Sequence, residues 1–246
     1  MSPSQSIVRR PLGKGTVDVL VPTDSLSAGE PTDVAVEFTG RDVHERLTEL
    51  TLTLDVPYRT ETGFERATVD TVELAADLTV EGLSGTQSRT VTLSRETPGT
   101  LGSIGVIGTF AFVTDRRRDI VDVHLDVAPD ARIMSAFFAM FDLGFGLEAL
   151  DCVADVSPDG QPYTSRFEYR PVEGPFEEAM ETVEIFVRHS AAPPSVCLAV
   201  DRDDGPVDLS RTPDGETTLH RSDDDAIRDQ LRQCLEEACS PSAPEG

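Results

Sequence analysis

The residue types that most often bind metals or act as nucleophiles are few in this chain of 246 residues. It has four histidines, namely His44, His124, His189 and His220. They show no H-x-x-x-H spacing, and no cysteine lies close enough in sequence to complete a short zinc ligand pair. The four cysteines, Cys152, Cys197, Cys234 and Cys239, include no C-x-x-C pair. Because Cys152 and Cys197 lie in apolar runs, we predict buried free thiols in preference to disulfides or zinc ligands.

The segment LGSIGVIGTF is rich in glycine, with Gly102, Gly105 and Gly108 at regular spacing. A phosphate-binding loop needs a helix N-terminus directly after it, whereas this segment leads into an apolar run typical of a strand. A G-x-S-x-G nucleophile motif is absent as well. In a chain with so many acidic residues, a pair of carboxylates does not identify an active site. We therefore predict no catalytic residue and no cofactor, and we expect that the protein is not an enzyme.

Acidic residues surround Gly205, and their density suggests a calcium loop. They are Asp201, Asp203, Asp204 and Asp208. The spacing differs from that of an EF-hand, because Gly205 is at the fifth loop position and no glutamate stands at the twelfth. A solvated acidic loop is the simpler interpretation. A β-sandwich that binds calcium or carbohydrate remains the alternative function, although a chain without tryptophan is poorly equipped to stack on sugars.

Arg116, Arg117 and Arg118 form the one run of three consecutive basic residues. Such a run could dock an acidic segment of another protein through charge-assisted hydrogen bonds. It could instead be a charged strand end that the neighbouring Asp115 and Asp119 stabilise. Both interpretations stay open at the level of the sequence, and we keep the three arginines as candidate partner-docking residues.

The net charge of −24 limits the choice of partners. A surface with this much negative charge repels phosphate backbones and anionic lipid headgroups. We therefore expect neither nucleic acid binding nor membrane insertion. The acids are scattered along the chain, as in proteins adapted to a salty cytoplasm, where molar salt shortens electrostatic range to about 3 Å. No secretory apolar segment follows Met1, and no apolar window approaches the roughly 20 residues that span a bilayer. We therefore expect a halophilic, cytoplasmic protein.

Most of the chain shows apolar residues at every second position, the spacing of strands with one buried face. Examples are Val17, Val19 and Val21; Leu50, Leu52, Leu54 and Val56; and Val183, Ile185 and Val187. Glycine and proline turns separate the runs at short intervals, as in Ala28-Gly29-Glu30-Pro31. The pattern predicts an all-β protein built from antiparallel β-sandwiches.

Two segments have helical spacing instead. Residues 130–143 carry a broad apolar face and precede Gly144, which is placed to end a helix. Residues 222–239 carry a narrower stripe that includes Ile227, Leu231 and Leu235. A polar segment, 203–221, precedes this second helix and is typical of a flexible linker. Since such a stripe must be covered, we predict that it docks onto its own domain or onto another protein, and we favour self-association into a homo-oligomer.

Longer motifs carry a resemblance to a known family. The opening LGKGTVDVLVPTDSLSAGEPTDVAVEFT, and later PGTLGSIGVIGTFAFVTDRRRDIVDVHLDVAP followed by FFAMFDLGFGLEALDC, resemble the sporulation-control protein family, which has an arrestin-like fold. The resemblance implies two tandem β-sandwiches and a non-catalytic scaffold or regulatory protein that binds other proteins. It ends near Asp201, where this chain departs from the family's usual apolar C-terminal segment.

Together these observations predict four parts. Residues 1–11 are an N-terminal tail, residues 12–128 the first arrestin-like sandwich, residues 129–201 the second, and residues 202–246 an acidic linker with a C-terminal helix. A short helix lies between the two sandwiches.

Overall fold

The fold is described from a computed structural model of the chain. The structure describes residues 4–12, 15–22, 26–40, 47–78, 84–155, 161–189, 195–201, 207–208, 216–218 and 224–239. Strands predominate in these residues, and two helices accompany them.

The chain divides into two compact units. Unit 1 comprises Met1–Pro57, Glu65–Thr100 and Gly105–Ala128, and unit 2 comprises Tyr58–Phe64, Leu101–Ile104 and Pro129–Gly246. Ala128 and Pro129 thus belong to different units. The two short earlier segments of unit 2 have no counterpart in the predicted division of the chain.

Ten strands precede Pro129 in the described residues. They are β1 Ser4–Leu12, β2 Gly15–Pro22, β3 Leu26–Ser27, β4 Pro31–Gly40, β5 Leu47–Thr60, β6 Gly63–Leu78, β7 Ser84–Thr92, β8 Val106–Thr114, β9 Arg118–Leu125 and β10 Val127–Ala128. Unit 1 holds an antiparallel sheet in the order β1-β2-β4-β7. Its second sheet runs β9-β8-β5, with β6 paired to β5, and the short β10 pairs with β3 in parallel.

The predicted N-terminal tail is wrong, because residues 4–12 form β1. This strand pairs antiparallel with β2, from Ser4 opposite Pro22 to Leu12 opposite Gly15. Its residues show little apolar alternation, and it is held by backbone hydrogen bonds to β2, the buried Val8 and the ion pair of Arg9 with Asp18 at 2.6 Å.

The core of unit 1 lies between its two sheets. Side chains from both sheets line one apolar cavity, with Val19, Val34 and Val91 on one side and Leu52, Leu74 and Phe110 on the other. The predicted alternation of β5 holds, since Leu50, Leu52, Leu54 and Val56 are all buried. Unit 1 is therefore a β-sandwich whose two inner faces meet in an apolar layer.

The elements after Ala128 are α1 Ala131–Asp142, β11 Phe145–Ala154, β12 Tyr163–Pro171, β13 Thr182–Arg188, β14 Ser195–Asp201, β15 Val207–Asp208, β16 Glu216–Thr218 and α2 Asp224–Cys239. In unit 2, β11, β12, β13 and β14 follow one another antiparallel, and β15 and β16 both pair with β14. Arg59, from the end of β5, pairs in parallel with Val153 of β11. The segment predicted as a flexible linker therefore contains two short paired strands.

Both predicted helices are present. Asp130 caps α1 by accepting a hydrogen bond from the Arg132 backbone N–H at 2.8 Å, as an N-cap residue should. Gly144 follows the helix with φ of +89°, and a Cβ there would stand 2.1 Å from the Glu173 carbonyl oxygen. Only glycine fits this turn. The start predicted for the second helix, at residue 222, lies outside the described residues.

Helices, and not a second sheet, cover the sheet of unit 2. All described strands of this unit lie in one sheet. Phe137 of α1 stands over its face, with ring centroids 6.1 Å from Phe167 and 6.4 Å from Tyr169 of β12. In turn, α2 packs against α1. Within the described residues, unit 2 is thus a sheet with a helical layer, and the second sandwich predicted for residues 129–201 is not observed.

Candidate interaction surface

The candidate arginines lie in the tight turn between β8 and β9, which we name the arginine turn (residues 115–118). Thr114 organises it: its hydroxyl oxygen accepts hydrogen bonds from the backbone N–H groups of Arg116 and Arg117, at 3.2 and 3.0 Å. The Thr114 N–H donates to the Arg117 carbonyl at 2.8 Å. A threonine beside a hairpin turn thus satisfies backbone donors that would otherwise lack partners, which fixes where the arginines emerge.

The three arginines differ in their environments. The Arg117 guanidinium donates to the Pro11 carbonyl of β1 at 3.0 Å and lies 3.3 Å from the Asp119 carboxylate. Arg117 thus fastens the turn to β1. Arg116 and Arg118 are exposed, and their side chains form no hydrogen bond or ion pair with any residue that the structure describes. They are cations held at the surface of an acidic molecule.

Directly after the turn, β9 forms the edge of its sheet within the described strands. It pairs with β8 alone, while β1 passes nearby but pairs with β2. Alternate side chains of β9 face outward, namely Arg118, Ile120, Asp122 and His124. Ile120 is 57% exposed. A strand edge presents unpaired backbone donors and acceptors, and an exposed isoleucine on it is unusual because natural edges are normally protected by charge.

The apolar stripe of α2 is not a free surface. Ile227, Leu231 and Leu235 are 2%, 1% and 0% exposed. Their helix packs on α1, whose buried face includes the small residues Ala136 and Ala139. These three residues are therefore corrected from candidate partner-docking residues to core residues of unit 2. The same finding removes the reason for a homo-oligomer through the C-terminal helix, because the stripe is covered within its own chain.

A serine–histidine pair that the sequence did not reveal lies inside unit 2. The Ser165 hydroxyl and the His189 Nε2 are 2.8 Å apart, and the Cys152 sulfur is 3.7 Å from the same hydroxyl. Pairing of β12 with β13 places Ser165 opposite Val187, two residues before His189. In the sequence, the one indication of this contact was a serine at an inward position of an apolar strand.

The environment of this pair is unsuited to nucleophilic catalysis. Burial lowers the pKa of His189 to about 4 and raises the pKa of Cys152 to about 12. Ser165 is 2% exposed, so its hydroxyl is enclosed. The chain of groups acts as a buried hydrogen-bond network that satisfies polar atoms within an apolar layer.

The opposite face of the same sheet carries an ion-pair cluster. Arg166 donates to both carboxylate oxygens of Asp151, at 3.0 and 3.2 Å, and to Glu184 at 2.9 Å. Arg59 lies 3.1 Å from Asp151. Bidentate pairing of this kind is among the stronger hydrogen-bond geometries. The cluster holds the end of β5 to β11, and its arginines neutralise neighbouring acids.

The remaining predicted positions have simple outcomes. Residues 102–105 form a turn that leads into β8, so the glycine-rich segment enters a strand as predicted. Asp203, Asp204, Gly205 and the side chains of Asp201 and Asp208 lie outside what the structure describes, as do His44 and His220. In the described ranges, no three His, Cys, Asp or Glu side chains are grouped so as to hold a metal ion. Neither α1 nor α2 is long and apolar enough to cross a membrane.

Comparison with known proteins supplies the family. The family model described as Spo0M, SpoOM protein, matches residues 9–204. The crystal structure of Spo0M, a sporulation control protein from Bacillus subtilis, is similar with a TM-score of 0.73 and 20% identity, covering 92% of this chain and 99% of that one. A DUF4466 family protein from Parabacteroides merdae aligns with a TM-score of 0.27 and 9% identity over 68% of each chain, which carries no argument. Comparison with the curated proteins finds no match. With four fifths of its length inside the family model, the chain belongs to the Spo0M family of sporulation-control proteins.

Proposed function

We propose that this protein is a non-catalytic regulatory scaffold of the arrestin-like kind that acts in the cytoplasm by binding other proteins. In this proposal the arginine turn docks an acidic segment of the partner. The proposal is supported by membership of the Spo0M family and by the similar fold of a sporulation control protein from Bacillus subtilis. The role in this chain is the binding of a regulatory partner and not a chemical reaction.

The observation that carries the proposal is the exposure of Arg116 and Arg118 on a molecule with a net charge of −24. Acidic residues outnumber basic ones by 45 to 21, and other arginines such as Arg166 and Arg59 pair with acids. Two cations left exposed on one short turn can bind a carboxylate in a bidentate geometry. At molar salt, only such direct contacts survive screening, so recognition depends on the local geometry of the turn.

The buried chemistry of unit 2 supports the non-catalytic part of the proposal. Ser165 and His189 have the residue types of a nucleophile and its base, but the hydroxyl is enclosed and the imidazole is held neutral by burial. A general base works best with a pKa near the operating pH, whereas that of His189 is about 4.

The test compares affinity capture by the wild-type chain with capture by Arg116→Glu, in lysate of the source organism at about 2 M salt. We expect the wild type to retain a defined protein and the variant to retain at least about tenfold less, since reversal places an acid against an acid. Arg170→Glu is the control, because Arg170 is also exposed and pairs only with Glu148 in the described residues. Equal retention by the wild type and Arg116→Glu, or equal loss with Arg170→Glu, contradicts docking at the turn.

A further inference from the structure

The outward face of β9 has an arrangement that is self-complementary. Ile120, which is 57% exposed, lies between Arg118 on one side and Asp122 on the other, each two residues away. All three side chains point to the same face of the sheet. The cation and the anion are thus placed symmetrically about an apolar centre.

Antiparallel pairing of this strand with a second copy brings these groups together. If the two-fold axis passes at Ile120, the isoleucines of the two copies face each other. Arg118 of each copy then faces Asp122 of the other, so that one register creates two opposite-charge pairs around an apolar contact. Directly opposed cross-strand pairs have Cβ atoms about 5 Å apart, close enough for both kinds of contact.

We propose that β9 is the dimerisation edge of this protein and that its occupant is the β9 strand of a second copy. Backbone hydrogen bonds between the two edges extend the sheet across the two-fold axis, as in other cases of strand addition. The contact is isologous, which is the arrangement of a closed dimer. Val121 and Val123, half-buried on the inner side of the strand, lose further exposure on pairing.

Other registers lack this complementarity. With the axis at Asp122, the two carboxylates face each other and Ile120 faces His124. With the axis at Val121, each Ile120 faces an aspartate. Like charges directly opposite each other are destabilising, and a charged partner gives Ile120 no apolar contact. The side-chain pattern therefore selects the register about Ile120.

The side chains near the β9 edge do not prevent its pairing with a second copy. Asp122 already accepts from Thr109 at 2.9 Å and from Arg66 at 3.2 Å, yet a carboxylate has about four acceptor sites, and its side chain is 49% exposed. Arg118 has no side-chain partner in the described residues. Arg117 is held by Pro11 and Asp119, so it leaves the outward face to its neighbours.

The dimer shares Arg118 with the proposed binding of a partner at the arginine turn, but it rests on the geometry of β9 and does not require that binding. The test is the mass of the purified full-length chain by light scattering over a range of concentrations. We expect about twice 26.6 kDa for the wild type. Ile120→Asp should weaken dimerisation by about a hundredfold, because it buries a charge in the centre of the contact. Phe64→Asp is the control, since Phe64 is 79% exposed at the start of β6 and its replacement should leave the mass unchanged.

Charge reversal gives the sharper measurement. Arg118→Asp alone places acids opposite each other at two symmetric positions and should shift the chain to monomer in dilute salt. Arg118→Asp combined with Asp122→Arg restores opposite charges in the same register and should restore the dimer. A monomeric wild type, an Ile120→Asp chain that stays dimeric, or a double variant no more dimeric than the single one overturns the proposal. Circular dichroism of each variant verifies that it is folded.

Discussion

Helix α2 and strand β9 are both amphipathic, yet the structure treats them in opposite ways. In the sequence α2 has the stronger apolar stripe and invites the hypothesis of a docking surface, but Ile227, Leu231 and Leu235 are covered by their own chain. The exposed face of β9 has a single large apolar residue, Ile120, and it remains in solvent. An apolar pattern thus predicts that a face is covered. Which segment covers it depends on the elements that the fold places beside that face.

The difference between α2 and β9 arises from the elements that lie next to each of them. α2 follows the sheet of unit 2, whose inner face carries large rings and is already partly covered by α1, so a further apolar helix finds a surface within reach. β9 stands at one end of the strand order of its sheet, with β8 as its one neighbour among the described strands, and after it the chain turns to β10 and α1. An edge strand is left wherever a sheet ends.

Truncation of α2 in its buried stripe should give the largest effect. Leu235→Ala removes a side chain with 0% exposure and should lower the free energy of unfolding by about 2 to 5 kcal/mol. Urea denaturation in high salt measures this change. Gln230→Ala, on the exposed side of the same helix, should leave stability nearly unchanged. If the Leu235→Ala variant kept wild-type stability but changed its oligomeric mass, α2 would be a docking surface and not part of the core.

Acid should weaken the unit that carries α2 through His189. Burial holds the folded-state pKa at about 4, below the ordinary value of 6.5, with Asp130 partly opposing the shift. The stability present above pH 6.5 is therefore lost as the pH falls from about 6.5 towards 4, by up to about 3 kcal/mol.

The measurement is the free energy of unfolding against pH for the wild type and His189→Gln. Carboxylates titrate in both proteins, so the difference between the two curves isolates the imidazole. We expect the wild type to lose more stability than the variant over this range. Parallel curves would mean that His189 is protonated as easily in the folded as in the unfolded chain.

Two adjacent phenylalanines of α1 test the helical layer at finer resolution. The ring of Phe137 lies 5.0 Å from that of Phe141 and 6.1 Å from that of Phe167, whereas Phe138 is 57% exposed. Phe137→Ala should cost about 2 kcal/mol and Phe138→Ala below about 1 kcal/mol, both by urea denaturation. Equal costs would place both rings in the same environment. Phe141 is 42% exposed, and its ring still lies 6.3 Å from that of Tyr169.

The smallest effect concerns the turn that leads into β9. Arg117→Ala removes the hydrogen bond to Pro11 and the ion pair with Asp119, which at this exposure contribute about 1 kcal/mol or less. Arg116→Ala should not change stability. Thermal unfolding of both variants in dilute and molar salt measures the difference. A larger loss with Arg116→Ala than with Arg117→Ala would contradict the division of roles within the arginine turn.

Most strands could be predicted from the sequence, and particular residues explain why. Leu50, Leu52, Leu54 and Val56 alternate so regularly that only a strand buries them together. The ends of α1 were predicted to within one residue because Asp130 and Gly144 are strong boundary signals. In contrast, β1 has few apolar residues and exists through its ladder with β2, which no local pattern predicts.

The candidate site was predictable only in part. The arginine run is visible in the sequence, but the attachment of Arg117 to Pro11 joins residues 106 positions apart. The exposure of Ile120 depends on which strand ends the sheet, and the Ser165–His189 contact depends on the register of β12 and β13.

The sequence by itself determined the alternation that makes strands, the two helical stripes, the ends of α1 and the acidic surface, because each of these depends on residues close together along the chain. Only the tertiary structure decided which stripe is buried and which edge stays open. It placed α1 against α2, brought Tyr58–Phe64 into unit 2 and left β9 with β8 as its one neighbour in the described sheet. These outcomes depend on pairings between distant segments, whose free energies compete with one another and are invisible in any local window of sequence.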